Sequence, residues 1–278
     1  MLVGPESRIR DAAGKAGIDL ARLPIVDTAD APRAAANRAV ELARAGSVAA
    51  LVKGSLGNED LLAPVSAPDS GLRGPHRLSH AYFLDLAGWP NGMLLADAQL
   101  NVTPNLAAKR DIVQNTIAFA RALGVAAPRV ALLAAMDAVN PAFPSTLDAT
   151  ALKAMAEDGM FDGAIIDGPL AADSALAADA AEANGRRSEV AGQADVLIAP
   201  GMESALLVLR TLTGLTSGLA AGLVLGARVP IVAPARTDSM EVRMASCVLA
   251  SLMAAAIARS GSQKAPAAST PTLAAAAA

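Results

Sequence analysis

The sequence predicts an α/β protein with a mainly parallel sheet, because of its length and two recurring patterns. With 278 residues, the chain is long enough for one large or two medium α/β domains. Short apolar runs recur along it, and segments with helical periodicity separate them. Such runs are typical of strands that lie in a parallel sheet and are covered by helices on both faces.

The first half of the chain contains two predicted helices and two predicted strands. Pro32 stands at the start of the first helix, whereas Gly46 and Gly124 follow the two helix ends. Proline suits a helix start because it fixes a helical φ, and glycine tolerates the left-handed conformation that often ends a helix. In order, the elements are a helix over 32–45, strands over 48–52 and 92–96, and a helix over 105–123.

The second half continues the same alternation. Ser145 or Thr146 is a suitable N-cap for its first helix, and Gly226 and Pro230 interrupt its last apolar run. In order, the predicted elements are a strand over 129–134, a helix over 146–157, strands over 163–167 and 195–199, a helix over 202–212, a strand within 223–233 and a helix over 240–258.

Composition argues against several classes of function. The net charge of −3 disfavours nucleic acid as the main partner. Two histidines and one cysteine show no metal-ligand spacing, and no glycine-rich dinucleotide fingerprint follows a strand, so we expect no metal and no cofactor. The single cysteine, Cys247, excludes an internal disulfide and fits a cytoplasmic protein.

A membrane location is also disfavoured, although the mean hydropathy of +0.40 is high. The most apolar stretches, at 196–200, 219–225 and 247–257, are shorter than the roughly 18–20 residues that a membrane-spanning helix needs. The N-terminal segment is charged and lacks the apolar core of a signal peptide. We therefore expect no membrane partner.

Candidate ligand-binding residues follow the predicted strands, because ligands of open α/β sheets bind at the carboxyl ends of the strands. Arg236 is the best placed, since it follows the last strand and precedes a helix N-terminus, which favours anions. Its guanidinium adds a permanent charge suited to phosphate. The other segments selected by position are 53–55, 97–101, 167–169 and 200–203.

A set of short motifs at these strand ends runs in one fixed order along residues 2–258. The motifs are Leu51-Val52-Lys53-Gly54-Ser55, Arg77-Leu78-Ser79-His80, Ala96-Asp97 through Asn101, Asp111 through Asn115, Val139-Asn140-Pro141, Ser145 through Asp148, Asp167-Gly168-Pro169-Leu170, Ala191 through Asp195, Gly226 through Pro230, and Arg236 with Asp238-Ser239. In this order they resemble the phosphate acetyl/butyryl transferases, in particular the short butyryltransferase-like branch.

The resemblance implies an α/β fold of two domains with an interdomain cleft, as in phosphotransacetylase and isocitrate dehydrogenase, and a homodimer. The first domain would comprise residues 1–93 plus 221–260, and the second 94–220. The family carries further residues before the equivalent of Leu2-Val3-Gly4, so a short N-terminus is expected. Residues 261–278 form an Ala/Pro-rich tail without a core pattern, for which we expect disorder.

The implied reaction is reversible transfer of an acetyl or butyryl group between coenzyme A and inorganic phosphate in the interdomain cleft. The resemblance and the strand ends together select Arg236, Glu241 and Ser239 as candidate catalytic residues. Glu241 would act as the base, whereas Ser239 suits a helix N-cap as well as catalysis. The candidate substrate-binding residues are Lys53, Ser79, His80, Asp97, Asn101, Asp167, Gly168, Glu203 and Arg236. Several of these, Lys53, His80 and Asp167 among them, have purely structural roles as alternatives.

Four departures from the family pattern keep other interpretations open. Ala235 replaces a serine beside Arg236, and Val242 replaces an aspartate that is proposed to deprotonate the thiol in acetyl-specific members. Ala205-Leu206 replaces Gly-Asn, and Ala172 replaces phenylalanine. One alternative is therefore a catalytically degenerate paralogue that binds coenzyme A or an anion without turnover. Another is a module that acts with a hydratase-like partner domain or protein. The sequence leaves the acyl chain length open.

Overall fold

A mixed eight-stranded sheet forms the centre of the protein in the computed structural model, which describes residues 1–263. Strands β1 and β2 form a separate parallel pair, and the eight others have the order β3-β10-β9-β4-β5-β8-β6-β7. The strands are β1 (Leu2–Gly4), β2 (Ile25–Asp27), β3 (Leu51–Val52), β4 (Ser79–Leu86), β5 (Trp89–Ala96), β6 (Arg129–Leu133), β7 (Ile165–Leu170), β8 (Val196–Ile198), β9 (Leu219–Leu225) and β10 (Ile231–Val232).

Nine helices connect or cover these strands within the described residues. They are α1 (Glu6–Ala16), α2 (Pro32–Arg44), α3 (Asn58–Ser66), α4 (Leu106–Ala122), α5 (Pro144–Glu157), α6 (Ala172–Leu176), α7 (Ala178–Ala183), α8 (Met202–Thr216) and α9 (Met240–Gln263). The fold is thus the α/β class that the sequence predicts, with helices on both faces of the sheet.

The two parallel parts of the sheet run in opposite directions. Strands β3 and β10 are parallel to each other, and so are β5, β8, β6 and β7. Between them, β10–β9, β9–β4 and β4–β5 are antiparallel pairs. Three reversals leave β3 and β10 antiparallel to β5, β8, β6 and β7. The register nevertheless brings the ends of β10 and β5 to the same level of the sheet, since Ile231 pairs with Val224, Val224 pairs with His80, and the adjacent Ala81 pairs with Ala96.

Side chains alternate between two cores because successive residues of a strand point to opposite faces. On β4, Ala81 and Phe83 join the core beneath α4, α5 and α9. Tyr82 and Leu84 face the other core, which α8 covers. A third cluster packs α2 and α3 against β3 and β10. The sheet is thereby buried on both faces over much of its area.

Most predicted helices and strands are present, with shifted ends. Asn105 is the N-cap of α4, and its side-chain oxygen accepts a hydrogen bond from the Ala108 N–H. Helix α5 begins at Pro144, so Thr146 is inside the helix and neither it nor Ser145 is the N-cap. Strand β7 continues through Asp167-Gly168-Pro169 rather than ending there.

The antiparallel centre of the sheet is the main feature that the sequence analysis missed. Strand β4 was not predicted, and the apolar stretch assigned to one last strand contains β9 and β10 in opposite directions. A two-residue turn, Ala87-Gly88, joins β4 to β5. Gly88 has φ +83°, a conformation that glycine adopts without steric cost.

Helix α9 differs from expectation in two ways. Within the described residues, Met240–Ser260 is long and apolar enough to cross a membrane by length and composition, contrary to the sequence expectation. Its packing against β9, β10 and α4 gives a second reason for its apolar composition. The helix also includes 261–263, which were expected to belong to the tail. The remaining tail residues, 264–278, lie outside the described residues.

The expected domain boundaries fall inside strands. The boundary at 93/94 lies in β5, and that at 220/221 lies in β9. One continuous sheet therefore crosses both boundaries. The division into two domains remains a proposal.

Candidate functional site

The turn between β10 and α9 presents an arginine and is held in shape by a second arginine. The Asp238 carboxylate accepts a hydrogen bond from the Ala235 N–H at 2.7 Å. Arg243, one turn into α9, donates to the carbonyls of Ala235, Arg236 and Asp238 at 3.0–3.2 Å. The Arg236 side chain is exposed and makes no ion pair among the described residues. This turn therefore offers a free guanidinium on a fixed backbone.

Lys53 lies beside this turn at the end of the neighbouring strand. The parallel register pairs Val52 with Val232, and the Lys53 N–H donates to the Val232 carbonyl at 2.8 Å. The residue is only 7% exposed, and its ammonium group donates to the Leu56 carbonyl at 3.1 Å. Burial, followed by the charges of Arg236 and Arg243, lowers the pKa of Lys53, against a smaller opposing effect of Asp238.

Tyr82 connects the turn to the opposite part of the sheet. It lies on β4, and its hydroxyl accepts a hydrogen bond from the Gln99 amide. Burial raises the pKa of Tyr82, and the charges of Asp238, Arg210 and Asp97 also act on it. Charged side chains of the β10–α9 turn, of α8 and of the segment after β5 thus all act on the pKa of this one hydroxyl. The candidate site lies on the α8 side of the sheet, around this tyrosine.

Asp97 organises the segment that follows β5. One carboxylate oxygen accepts hydrogen bonds from the N–H groups of Gln99 and Leu100, at 2.9 and 3.1 Å. The other accepts from the Asn101 amide at 2.6 Å. Asn101 also donates to the Leu78 carbonyl. Asp97 and Asn101, both predicted to bind substrate, therefore act together to hold this segment.

His80 is a buried neutral side chain in the floor of this region. It is 1% exposed, its Nδ1 has no hydrogen-bond partner, and its ring lies 4.5 Å from that of Tyr82. Burial lowers the pKa of His80 to about 3. Gly222 leaves room for the ring, because a Cβ there would lie 2.5 Å from the imidazole. His80 therefore shapes the floor without carrying charge.

Ser79 has a structural role that the sequence analysis did not anticipate. It is fully buried and accepts a hydrogen bond from the Asn115 amide of α4 at 2.9 Å. The same amide donates to the Arg77 carbonyl. Ser79 therefore anchors the start of β4 to α4, on the face away from Tyr82.

Asp167 and Gly168 lie far from Lys53 and Arg236. Their strand, β7, is seven strand positions from β3, or about 34 Å at the usual strand spacing. Asp167 is 3% exposed and pairs with Lys153 at 2.7 Å and Arg186 at 3.3 Å. Burial opposes its ionisation, but hydrogen bonds led by Lys153 outweigh burial and lower the pKa of Asp167. The structure separates these two residues from the phosphate-binding candidates.

Gly168 is required by close packing of two backbones. A Cβ at this position would lie 2.8 Å from the Leu132 carbonyl oxygen of β6. No side chain fits in that space without moving the strand. This packing accounts for the glycine independently of any ligand.

The three remaining candidates lie at helix starts. The Ser239 hydroxyl accepts a hydrogen bond from the Val242 N–H at 3.2 Å, which is an N-cap interaction. Glu241 is exposed on the first turn of α9, and Glu203 is exposed on the first turn of α8. Catalytic roles for Ser239 and Glu241, and binding by Glu203, stay predictions.

Three side chains around the site were missed by the sequence analysis. Arg243 lies in the first turn of α9, seven residues after Arg236, so the selection of residues directly after strands did not include it. Tyr82 and Arg210 lie inside elements rather than at strand ends, so the position-based selection overlooked them. The described residues contain no cluster of histidine, cysteine, aspartate and glutamate suited to a metal ion.

Comparison with known proteins gives a consistent picture. A family model described as phosphate acetyl/butaryl transferase matches residues 25–251. The chain is 46% identical over 255 residues to a phosphate acetyltransferase of Rhizobium meliloti, covering 92% of this chain and 80% of the relative. It is 35% identical over 255 residues to a phosphate butyryltransferase of Clostridium beijerinckii, covering 92% and 84%.

Two solved structures with a similar fold carry transacylase titles. A branched-chain phosphotransacylase from Enterococcus faecalis V583 superposes with a TM-score of 0.73 at 26% identity, covering 91% of this chain and 99% of that one. A phosphotransacetylase from Streptococcus pyogenes gives 0.75 at 19% identity, covering 91% and 84%, and supports the fold alone.

Proposed function

The chain belongs to the phosphate acetyl/butaryl transferase family, and we propose that it reversibly transfers an acetyl or butyryl group between coenzyme A and inorganic phosphate. The observation that carries this proposal is the group of cations around the β10–α9 turn. Lys53, Arg236 and Arg243 lie together there beside one carboxylate, Asp238. Such a group suits a phosphate dianion, because charged hydrogen bonds are strong and Arg236 has no ion-pair partner among residues 1–263.

The reaction needs no covalent bond to the protein. Coenzyme A sulfur and a phosphate oxygen exchange places on the acyl carbon through a tetrahedral intermediate. The protein must hold both substrates in contact, compensate the phosphate charge and stabilise the negative carbonyl oxygen. Arg236 supplies the charge for phosphate, and the protonated hydroxyl of Tyr82 is a donor near the same place.

A catalytically degenerate paralogue is not favoured, despite Ala235 and Val242. The close relatives carry the names of active transferases, and the anion-binding cations of this chain are present. Arg243 and Asp238 hold the turn without the serine that Ala235 replaces. Rates measured with acetyl-CoA and with butyryl-CoA would identify the acyl group that this chain prefers.

The expected homodimer, the two-domain division with its cleft, and the cytoplasmic location are part of the same proposal. A hydratase-like partner domain or protein is proposed only from the resemblance described above. The substrates, acyl-CoA and inorganic phosphate, are metabolites of the cell interior, which supports the cytoplasm.

Arg236→Ala tests the function at its anion-binding residue. We expect wild-type protein to release thiol from acetyl-CoA or butyryl-CoA only when phosphate is present. The variant loses a charged hydrogen bond of about 1.5–3 kcal/mol, so its KM for phosphate should rise about 10–150-fold. Steady-state assays with varied phosphate and an optical thiol reagent measure the rate of thiol release and the KM for phosphate.

Arg259→Ala is the matched control for this test. Arg259 is exposed on α9 and lies about 28 Å along the helix from its first turn. The Arg259→Ala variant should have the wild-type KM for phosphate. Wild-type protein that releases no thiol from either acyl-CoA, or releases it equally without phosphate, would contradict the proposed function.

A further inference from the structure

The proposed reaction requires a side chain that moves one proton. When coenzyme A attacks an acyl phosphate, its thiol must lose a proton, and a thiol of pKa about 8.5 is mostly un-ionised at neutral pH. The departing phosphate must gain a proton in the same reaction. One group that accepts the proton from sulfur and returns it to phosphate oxygen would meet both needs.

The carboxylates around the turn are poorly suited to this role. Asp238 accepts a hydrogen bond from the Ala235 N–H, and Asp97 accepts three hydrogen bonds from N–H donors. These hydrogen bonds engage the carboxylate oxygens in holding the backbone, so neither carboxylate is free to approach a substrate thiol. Glu241 is exposed to solvent, where its carboxylate is fully hydrated.

The neutral titratable groups of the site are no better. Burial raises the pKa of Tyr82, so its hydroxyl stays protonated and cannot accept a proton from sulfur. The pKa of His80 is about 3, so its imidazole is too weak a base, and it is buried beneath the site. Of the titratable side chains named for this site, Lys53 is the remaining candidate.

Lys53 has the placement that a proton carrier needs. Its nitrogen has one protein hydrogen-bond acceptor, the Leu56 carbonyl, and no ion pair in the described part of the chain. The side chain extends from the end of β3, which is paired with β10 immediately before Arg236. Lys53 and Arg236 therefore lie near enough for their charges to interact.

The surroundings of Lys53 shift its pKa downward, toward the neutral amine, in the free protein. Burial has the largest effect on its pKa, Arg236 and Arg243 lower it further, and Asp238 acts in the opposite sense. A bound phosphate dianion compensates the two guanidinium charges and makes the protonated amine more favourable again. The phosphate charge thus stabilises the ammonium group that forms once the nitrogen has taken the proton from sulfur.

We propose that Lys53 carries the proton between the coenzyme A thiol and the phosphate oxygen, an inference that rests on the acyltransferase function proposed above. The neutral amine takes the proton as the S–H bond breaks and sulfur attacks the acyl carbon. The C–O bond to phosphate then breaks, with the electron pair remaining on oxygen. The ammonium group returns its proton to that oxygen, so hydrogen phosphate leaves and the amine is regenerated.

Lys53→Arg separates proton transfer from charge. The variant keeps a cation beside the turn but cannot deprotonate near neutral pH. We expect its kcat for acetyl phosphate plus coenzyme A to fall about 10²–10⁴-fold at pH 7, with a KM for acetyl phosphate within threefold of wild type. Its residual rate should increase with pH up to the pKa of the thiol itself, about 8.5.

Two other results would overturn the proposal. A Lys53→Arg variant with nearly full kcat and the wild-type pH profile would mean that Lys53 only supplies charge. A variant with a raised KM and an unchanged kcat would mean the same. If wild-type protein itself is inactive in both directions, the acyltransferase function fails, and that outcome is distinguishable because it involves no variant.

A second variant covers the case in which arginine does not fit. Lys53→Cys, made in a Cys247→Ala background and alkylated with bromoethylamine, places a lysine analogue of intrinsically lower pKa at this position. The wild-type activity should be largely restored, and the acid limb of the kcat profile should shift to lower pH. Restored activity with an unshifted profile would exclude proton transfer by this nitrogen.

Discussion

At the scale of single residues, Lys53 and His80 show how burial changes the charge of a basic side chain. Both are nearly inaccessible, and burial has the largest effect on the pKa of each. Lys53 lies beside the turn that we propose to bind phosphate, and a bound anion would oppose the effect of burial on its pKa. His80 packs against Tyr82 and Gly222, and its Nδ1 has no hydrogen-bond partner in the described part of the chain, so burial of the ring is uncompensated at that atom.

His80 should make stability depend on pH. Its pKa is about 3 when folded and about 6.5 when unfolded, so the unfolded chain binds more protons between these values. The free energy of unfolding should therefore decrease as pH falls from 6.5, by up to about 1.4 kcal/mol per pH unit. Between pH 6.5 and pH 4, the free energy of unfolding of His80→Leu should fall by about 3 kcal/mol less than that of wild type, as measured by urea denaturation.

His76→Leu is the control, because His76 lies in a partly exposed loop. It should keep most of the wild-type pH dependence. Parallel stability curves for wild type and His80→Leu would contradict the buried neutral histidine. The unpartnered Nδ1 further predicts that leucine is tolerated at pH 7, since the substitution removes a buried polar atom.

At the scale of secondary-structure elements, ion pairs set the register where the pattern of apolar residues does not. Arg129 and Asp195 join the starts of β6 and β8 through a bidentate pair at 2.7 and 2.9 Å. The Asp195 carboxylate also accepts from the Arg129 N–H, and the Asp195 N–H donates to the Arg129 carbonyl. One side-chain pair thus fixes two adjacent parallel strands.

Asp195→Asn should weaken this connection in a pH-dependent way. Burial raises the pKa of Asp195, but the hydrogen bonds from Arg129 outweigh burial, so the net shift is downward. A lowered folded pKa stabilises the protein above the unfolded value of about 3.9, and the effect is lost as pH falls through the folded value. We expect a loss of about 1.5–3 kcal/mol at pH 7 by urea denaturation.

The difference between Asp195→Asn and wild type should become smaller below pH 4. Asp158→Asn, an exposed change at the end of α5, should remain within about 0.5 kcal/mol of wild type. A difference that is constant from pH 3 to 7 would argue against ionisation of Asp195 as its cause.

At the scale of the whole molecule, strand direction decides which residues meet. Lys53 and Arg236 share one edge of the sheet, whereas Asp167 and Gly168 lie at the far end of the opposite parallel group. The antiparallel strands β4 and β9 connect the two groups and place Tyr82 between their charges. The site therefore depends on the part of the sheet that breaks the parallel pattern.

The homodimer is the prediction that belongs to this scale. Sedimentation equilibrium should give about twice the chain mass of 27.8 kDa across a range of protein concentrations. Most soluble oligomers are symmetric, and two-fold dimers are the commonest kind. A mass of one chain at all micromolar concentrations would contradict the homodimer, and acyltransferase assays at the same concentrations would show whether activity follows association.

The sequence by itself determined the α/β class and most helices and strands, and it selected Arg236 and Lys53 as neighbouring candidates, because periodicity and strand-end position are local properties. The order and direction of the strands were decided only by the tertiary structure, since an apolar run is equally compatible with parallel and antiparallel neighbours. For that reason the sequence grouped Asp167 with Arg236, and missed Tyr82, Arg210 and Arg243.

Whether a polar residue such as Ser79 or His80 faces a ligand or a core depends on which face of β4 it occupies and on what packs there. Long-range packing alone settles that choice.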